Sequence, residues 1–356
     1  MGYSRAMLIR CLILSSLMLF PLSAEADVPQ KKIRLGYIGS LTSFAANYGT
    51  AVLKGAQLAA AELKANGKNI ELIIEDDQSD TRHSAAAYSK LSSVDHVQGI
   101  IGGSWWINAI VKASERDGIP LISCETLFNG DYIPGKNYFL LQGDLRDWIR
   151  IYEPLIEKLG LKRGAIFHFV SGFGTTLSAE LRSVFSKPGR SLVAAIEYTD
   201  VQVPNAGALV LQLKKSNPDV VYIDAQPAGY ASILRRMQEI GLNKIAVFGH
   251  SSLGDTVRDK LVDVSGFPEL YASGRSTFDE EFLRKYKVEY GEAPILNADL
   301  GYFATHLLVG ALETGNPIAA LQSGLSVDGK VFNFDERNVH TAAPQEIAKI
   351  SPAEKG

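Results

Sequence analysis

From Ile33 onward the sequence alternates short apolar runs with amphipathic stretches, and this alternation limits the possible fold more than any other feature of the chain. Residues 33–38, 71–75, 97–101 and 119–123 read as strands. Residues 48–65 read as a helix: Val52, Leu53, Ala56, Ala59, Ala60 and Leu63 recur near a 3.6-residue spacing, and Gly67 stops it. Residues 81–91 read as a second helix capped by Asp80. Strands separated by helices cannot pair as hairpins, so the order predicts a parallel sheet covered on both faces. Between Val97 and Gly118 an apolar run ends in Gly102, Gly103 and Ser104 before a helical pattern resumes. Ser104 stands where an N-cap is wanted. Amide groups at a helix start beyond a strand's carboxyl end favour a small anion, although an ordinary turn with a capping serine has the same pattern.

The alternation restarts after Asp144. Residues 148–159 are helical, with Pro154 as a kink or a first-turn residue. Strands at 164–169, 192–198, 220–224 and 245–249 then alternate with helices at 175–186, 206–216 and 230–240, broken at Asn217-Pro218-Asp219 and Gly241-Leu242-Asn243. The last third holds two helical patterns, 278–290 and 298–315, and two short strand candidates, 331–334 and 346–350. That is too few strands for a third sheet. These segments must pack onto the earlier halves, so the chain crosses between two lobes several times.

Arg5 and Arg10 precede an apolar run from Cys11 to Leu22, followed by small residues at Ala24 and Ala26. Residues 1–26 therefore read as a secretory signal peptide cut after Ala26. The alternative, a membrane anchor, needs about 20 apolar residues, and the run is shorter. Cys11 leaves with the signal, so the mature chain has only Cys124 and forms no internal disulfide; an unpaired thiol of this kind is commonly a small buried hydrophobe, and the alternative, a catalytic thiol, has no supporting residues nearby. The net charge of −3 offers no nucleic-acid surface or polybasic membrane patch. Gly102-x-Ser104 ends in Trp106, so there is no G-x-S-x-G; Walker A and H-E-x-x-H motifs are missing too. His83, His96, His168, His250, His306 and His340 show no paired metal-ligand spacing. Nothing here points to an enzyme, a metal or a cofactor, and His250 beside Ser251 and Ser252 reads as a loop histidine.

Several stretches, in order, resemble the leucine/isoleucine/valine-binding proteins, the substrate-binding proteins of ABC transporters with the type I periplasmic-binding fold. They are Ile33-Arg-Leu-Gly-Tyr-Ile-Gly-Ser-Leu-Thr, Tyr48-Gly49, Gly55-Ala56-Gln57-Leu58-Ala59 and Glu75-Asp76-Asp77-Gln78-Ser79-Asp80. Gly118-Ile119-Pro120-Leu121-Ile122-Ser123, Asn217-Pro218-Asp219-Val220-Val221-Tyr222 and Tyr286-Lys287-Val288-Glu289-Tyr290-Gly291 with Pro294 continue the series. The resemblance implies an α/β fold of two Rossmann-like lobes with parallel central sheets joined by a three-crossing hinge. Lobe one would take residues 33–142 plus 276–325, and lobe two 143–274 plus 327–350.

It also implies a ligand site in the cleft. Ser104 aligns with the family's serine that holds the ligand carboxylate. Glu125 and Thr126 follow the strand where the family offers backbone groups and a hydroxyl; Thr126 fits that role, and Glu125 replaces a small residue. Phe173 and Gln226 occupy common tyrosine positions, so Phe173 closes on the ligand without a phenol. Ser251 falls where amino-acid binders carry an acid for the ammonium group; Asp224 or Glu125 supplies the missing charge, or the ligand has no ammonium. Trp105 is the pocket candidate of its pair, while Trp106, Ile110 and Ala113 share a core-facing helical face. Tyr48, opening the first helix, contacts ligand from lobe one. The expected function is a periplasmic protein that delivers a small carboxylate-bearing solute, an amino acid or related organic acid, to the membrane permease of an ABC importer. The alternative is an exported sensor that presents its closed form to a receptor or sensor kinase.

Overall fold

The computed structural model describes residues 32–43, 45–125, 135–143, 145–274, 278–341 and 346–350. The first run of elements is β1 (Ile33–Gly39), α1 (Ala46–Ala65), β2 (Ile70–Asp76), α2 (Thr81–Ser93), β3 (Gly99–Gly103), α3 (Val111–Asp117), β4 (Leu121–Ser123) and β5 (Tyr138–Leu140). Its five strands form one parallel sheet in the order β2-β1-β3-β4-β5. Alternate residues of each strand enter opposite cores, as a sheet covered on both faces requires. Leu35, Tyr37, Ile101 and Ile122 pack with α1, whereas Ile38, Ile100 and Leu121 pack with α2 and α3.

The second run is α4 (Asp147–Arg150), α5 (Glu153–Lys158), β6 (Arg163–Phe169), α6 (Gly172–Val184), β7 (Ser191–Tyr198), α7 (Ala206–Ser216), β8 (Val220–Ile223), α8 (Pro227–Glu239), β9 (Ala246–His250), α9 (Ser251–Arg258) and β10 (Leu270–Gly274). The last run is α10 (Glu280–Tyr290), α11 (Ala298–Glu313), α12 (Pro317–Ser323), β11 (Leu325–Val327), β12 (Lys330–Phe332) and β13 (Glu346–Lys349). The second sheet has the order β13-β10-β9-β8-β6-β7; all its pairs are parallel except β13 against β10. Two more cores cover its faces, with Ala165 and Phe167 in one and Ile166 in the other.

Several details differ from the sequence expectations. The stretch 148–159 forms two short helices, with Pro154 in the first turn of α5, where its missing N–H is harmless. The expected helix from residue 278 starts at Glu280, because Asp279 accepts the N–H groups of Glu281 and Phe282 and caps it there. The three-residue β5 and the strand β10 went unread, the first being too short for a periodic signal. The hairpin β11–β12 belongs with the first sheet: Val327 and Phe332 enter the core of α1 and α11, and Val339 packs beside Leu140. Val327, Phe332, Phe334 and Val339 thus pack on the cores of the first sheet, and β13 pairs with β10 of the second. Among the described residues no helix is long and apolar enough to cross a membrane.

Candidate functional site

The carboxyl ends of the parallel strands supply the site, as the geometry of open α/β sheets favours. Beyond β8 lie Asp224 and Gln226, with Gln226 in extended backbone ahead of Pro227 at the start of α8. His250 is the last residue of β9, buried at the start of α9. Beyond β6, Ser171 caps α6 by accepting the N–H of Gly174 at 3.1 Å, which fixes Phe173 in the first turn. A Cβ on Gly174 would stand 2.2 Å from the carbonyl oxygen of Phe169 and 3.2 Å from Asp224 Oδ2. Glycine there lets the helix start press onto the strand end and Asp224.

These residues face the end of β4 and the start of α11 across a cavity. The first-sheet side contributes Tyr48, Trp105, Glu125, Gln142, Leu296 and Asn297. The second-sheet side contributes Trp148, Phe173, Asp224, Gln226, His250, Ser251 and Ser252. Tyr48 Oη donates to Gln226 Oε1 at 3.2 Å, so the two sides touch across the gap. Burial raises the Tyr48 phenol above its ordinary value; a hydrogen bond with Ser252 works against the rise, and the charges of Asp255 and Glu125 add to it. The phenol therefore keeps its proton and stays a donor.

A buried polar chain runs along the first side. Gln142 Nε2 donates to Asn297 Oδ1 at 3.2 Å, and Asn297 Nδ2 donates to Glu125 Oε2 at 2.8 Å. Asn297 holds a left-handed backbone (φ 70°), which asparagine tolerates better than most residues. On the second side Asp224 Oδ2 accepts the N–H of Phe169 at 3.3 Å. Its Oδ1 lies 3.4 Å from His250 Nε2. His250 Nδ1 accepts the N–H of Ser252, which assigns the ring proton to Nε2, toward Asp224. The imidazole lies among the rings of Tyr230, Trp148 and Phe173, with centroids 5.6, 6.0 and 6.3 Å away. Tyr48 and Trp105 meet at 5.5 Å on the opposite wall.

Seven residues singled out in the sequence come together on this wall: Tyr48, Trp105, Glu125, Phe173, Asp224, Gln226 and Ser251. Two do not. Thr126 lies outside the described residues. Ser104 is buried off the wall; its Oγ accepts the N–H of Trp106 at 3.1 Å and lies 3.3 Å from Ser40 Oγ. Nor does Ser104 cap an α-helix, because residues Ile107–Ile110 form a 3-10 turn and α3 begins only at Val111. That shift also corrects Trp106, which is half-buried, while Ile107, Ile110 and Val111 take the core positions. Gln142, Trp148, Ser252, Leu296 and Asn297 were missed, and His250 proves to be a wall residue. Their neighbours in space lie far away in sequence, so no local pattern marked them. Among the described residues no group of three or more His, Cys, Asp or Glu could hold a metal ion. Cys124 is fully buried in the core, as a small hydrophobe would be.

Two sheets with a cavity at their facing strand ends define a type I periplasmic-binding architecture. The periplasmic binding protein family model matches residues 32–328, and the chain belongs to that family. It is 25% identical over 360 aligned positions to Leu/Ile/Val-binding protein homolog 7 of Brucella abortus, covering 90% of each chain. Among solved structures it resembles LivJ of Streptococcus pneumoniae in complex with isoleucine (TM-score 0.72, 22% identity, 90% of this chain and 100% of that one). It also resembles a solute-binding protein of R. palustris in complex with benzoate (TM-score 0.74, 19% identity, 90% and 94%).

Proposed function

We propose that the protein is the exported substrate-binding component of an ABC importer, and that it closes two lobes on one small organic solute in the cavity between its sheets. The observation that carries this reading is the Tyr48–Gln226 hydrogen bond, which joins the two walls of the cavity at the strand ends. Lobe one would comprise residues 33–142 with the late helices and the β11–β12 hairpin, and lobe two residues 143–274 with β13. Tyr48, Trp105, Glu125, Phe173, Asp224, Gln226 and Ser251 would contact the solute, which the closed form would then hand to a membrane permease. The relatives support two solute classes, amino acids and benzoates. An amino acid is the better candidate, because Asp224 and Glu125 offer the negative charge that an ammonium group needs.

The test is a thermal-shift screen of amino acids, aromatic acids, amines and amides against mature protein refolded to strip carried-over solute. A cognate solute at a hundred times its Kd stabilises the folded form by about 2.7 kcal/mol. If no compound moves the melting curve, and unfolding the protein as purified releases no small molecule, the proposal fails.

A further inference from the structure

Two aromatic residues of the cavity's first side, Tyr48 and Trp105, lie within two residues of glycines that share one neighbour. That neighbour is Tyr37, fully buried on β1, on the face of the sheet covered by α1. Its Oη donates to the carbonyl oxygen of Gly49 at 2.6 Å, one residue past Tyr48 in the first turn of α1. A Cβ on Gly103, two residues before Trp105, would stand 2.0 Å from the same phenolic oxygen, and one on Gly39 would stand 2.2 Å from it. Gly39 and Gly103 are paired at the carboxyl end of the sheet, so together they leave the slot in which the phenol lies. Gly49 presses the helix start onto the end of β1: a Cβ there would stand 2.1 Å from the carbonyl oxygen of Ser40. No side chain among the described residues caps the start of α1, and an uncapped helix end frays unless something else holds it. Burial pushes the Tyr37 phenol well above its ordinary range, so it keeps its proton and stays a donor.

We propose that Tyr37 is a positioning residue for the first wall: its phenol, gripped by Gly39, Gly49 and Gly103, sets where Tyr48 and Trp105 stand and so how that wall fits the solute. The second half of this statement rests on the reading of the cavity as the solute site. Tyr37 does not line the cavity, so it acts only through the two aromatics. Deleting the phenolic oxygen takes a buried hydrogen bond from the first turn of α1 and empties the slot beside Gly39 and Gly103, whose lining then loses its contacts. The first turn is free to settle toward the sheet and to carry Tyr48 with it. Tyr48 meets Trp105 at 5.5 Å and Gln226 at 3.2 Å, so a small displacement alters both contacts.

The test is fluorine NMR of the ligand-free mature protein carrying 5-fluorotryptophan, with the signals assigned by Trp105→Phe and Trp148→Phe. Tyr37→Phe should move or broaden the Trp105 signal and leave that of Trp148, on the second side, in place. Tyr88→Phe deletes a phenol that donates to Asp117 on the other face of the first sheet, and it should move neither signal. A merely structural role for Tyr37 would lower the melting temperature, as Tyr88→Phe does, with the Trp105 signal unmoved. If Tyr37→Phe does not fold in buffer, the spectra are taken in sucrose, which favours the compact state. Gly39→Ala, which crowds the phenol from its own strand, gives a second reading and should also move the Trp105 signal. Titration calorimetry with isoleucine and benzoate measures the fit. For whichever compound binds the wild type, Kd should rise about fivefold in Tyr37→Phe and stay within about twofold in Tyr88→Phe. An unmoved Trp105 signal in the folded variant, or a moved signal with unchanged Kd, overturns the inference and leaves the solute reading standing. If neither compound binds, the fluorine spectra alone decide the positioning: a moved Trp105 signal supports it. The solute reading then falls only if the protein as purified releases no small molecule.

Discussion

Ser104 shows how one residue changes meaning once its neighbours are known. In sequence it follows two glycines at a strand end, where an anion-binding cap belongs. In the folded chain its hydroxyl is engaged by the Trp106 amide and stands beside Ser40, which in turn lies 2.9 Å from the buried Asp77. Ser104→Ala therefore removes buried hydrogen bonding and should destabilise the protein by about 1 kcal/mol in chemical denaturation, while solute affinity stays within twofold. A large loss of affinity with unchanged stability would return Ser104 to the wall. The neighbouring Trp105 carries the reverse lesson. Residues three to four apart on an ideal helix assign Trp106 to the core and leave Trp105 as the pocket candidate; Trp105 lines the cavity, and the 3-10 turn moves the core positions to Ile107, Ile110 and Val111.

At the scale of elements, the alternation of strands and helices was legible because each signal is local and repeats. Helix α1 buries Val52, Ala56, Ala59, Ala60 and Leu63, all on the face that the spacing selects. The order of strands in the sheets and the partner of each helix were not legible, since they depend on contacts between distant residues. The pairing of α1 with α11 is the clearest case. A Cβ on Gly55 would fall 1.7 Å from the carbonyl oxygen of Ala298, and one on Gly301 would fall 2.0 Å from that of Val52. The two helices cross with backbone nearly on backbone, and each glycine serves the other helix. Gly55→Ala or Gly301→Ala should each destabilise the protein by about 3 kcal/mol, because a backbone carbonyl cannot rotate away as a side chain can. Urea unfolding measures this, and a change below about 0.5 kcal/mol would mean that the helices separate at little cost. The same helix carries Asn297 at its start, so a looser crossing would also disturb the Gln142–Asn297–Glu125 chain.

The two large sheets are linked across the cavity by the Tyr48–Gln226 hydrogen bond, and under the proposed function the binding free energy would include the equilibrium between open and closed forms. A solute favours closure only through contacts it makes in the closed form alone. Any bond between the walls that forms without solute raises the closed population beforehand, and apparent affinity rises in proportion to that population. Tyr48 Oη to Gln226 Oε1 is such a bond, and the raised phenol pKa keeps its proton in place up to and beyond the ordinary tyrosine range near pH 10. Tyr48→Phe keeps the ring against Trp105 and deletes the donor, for a net change of about 1 kcal/mol. The solute Kd should then rise about fivefold, and the ligand-free protein should become more open by small-angle scattering. A double-mutant cycle with Gln226→Ala separates this from direct ligand contact. If the bond itself closes the lobes, the second substitution adds little to the first, in affinity and in scattering alike. Fully additive losses with an unchanged scattering curve would mean that each side chain meets the solute independently and that the walls are held by the ligand alone.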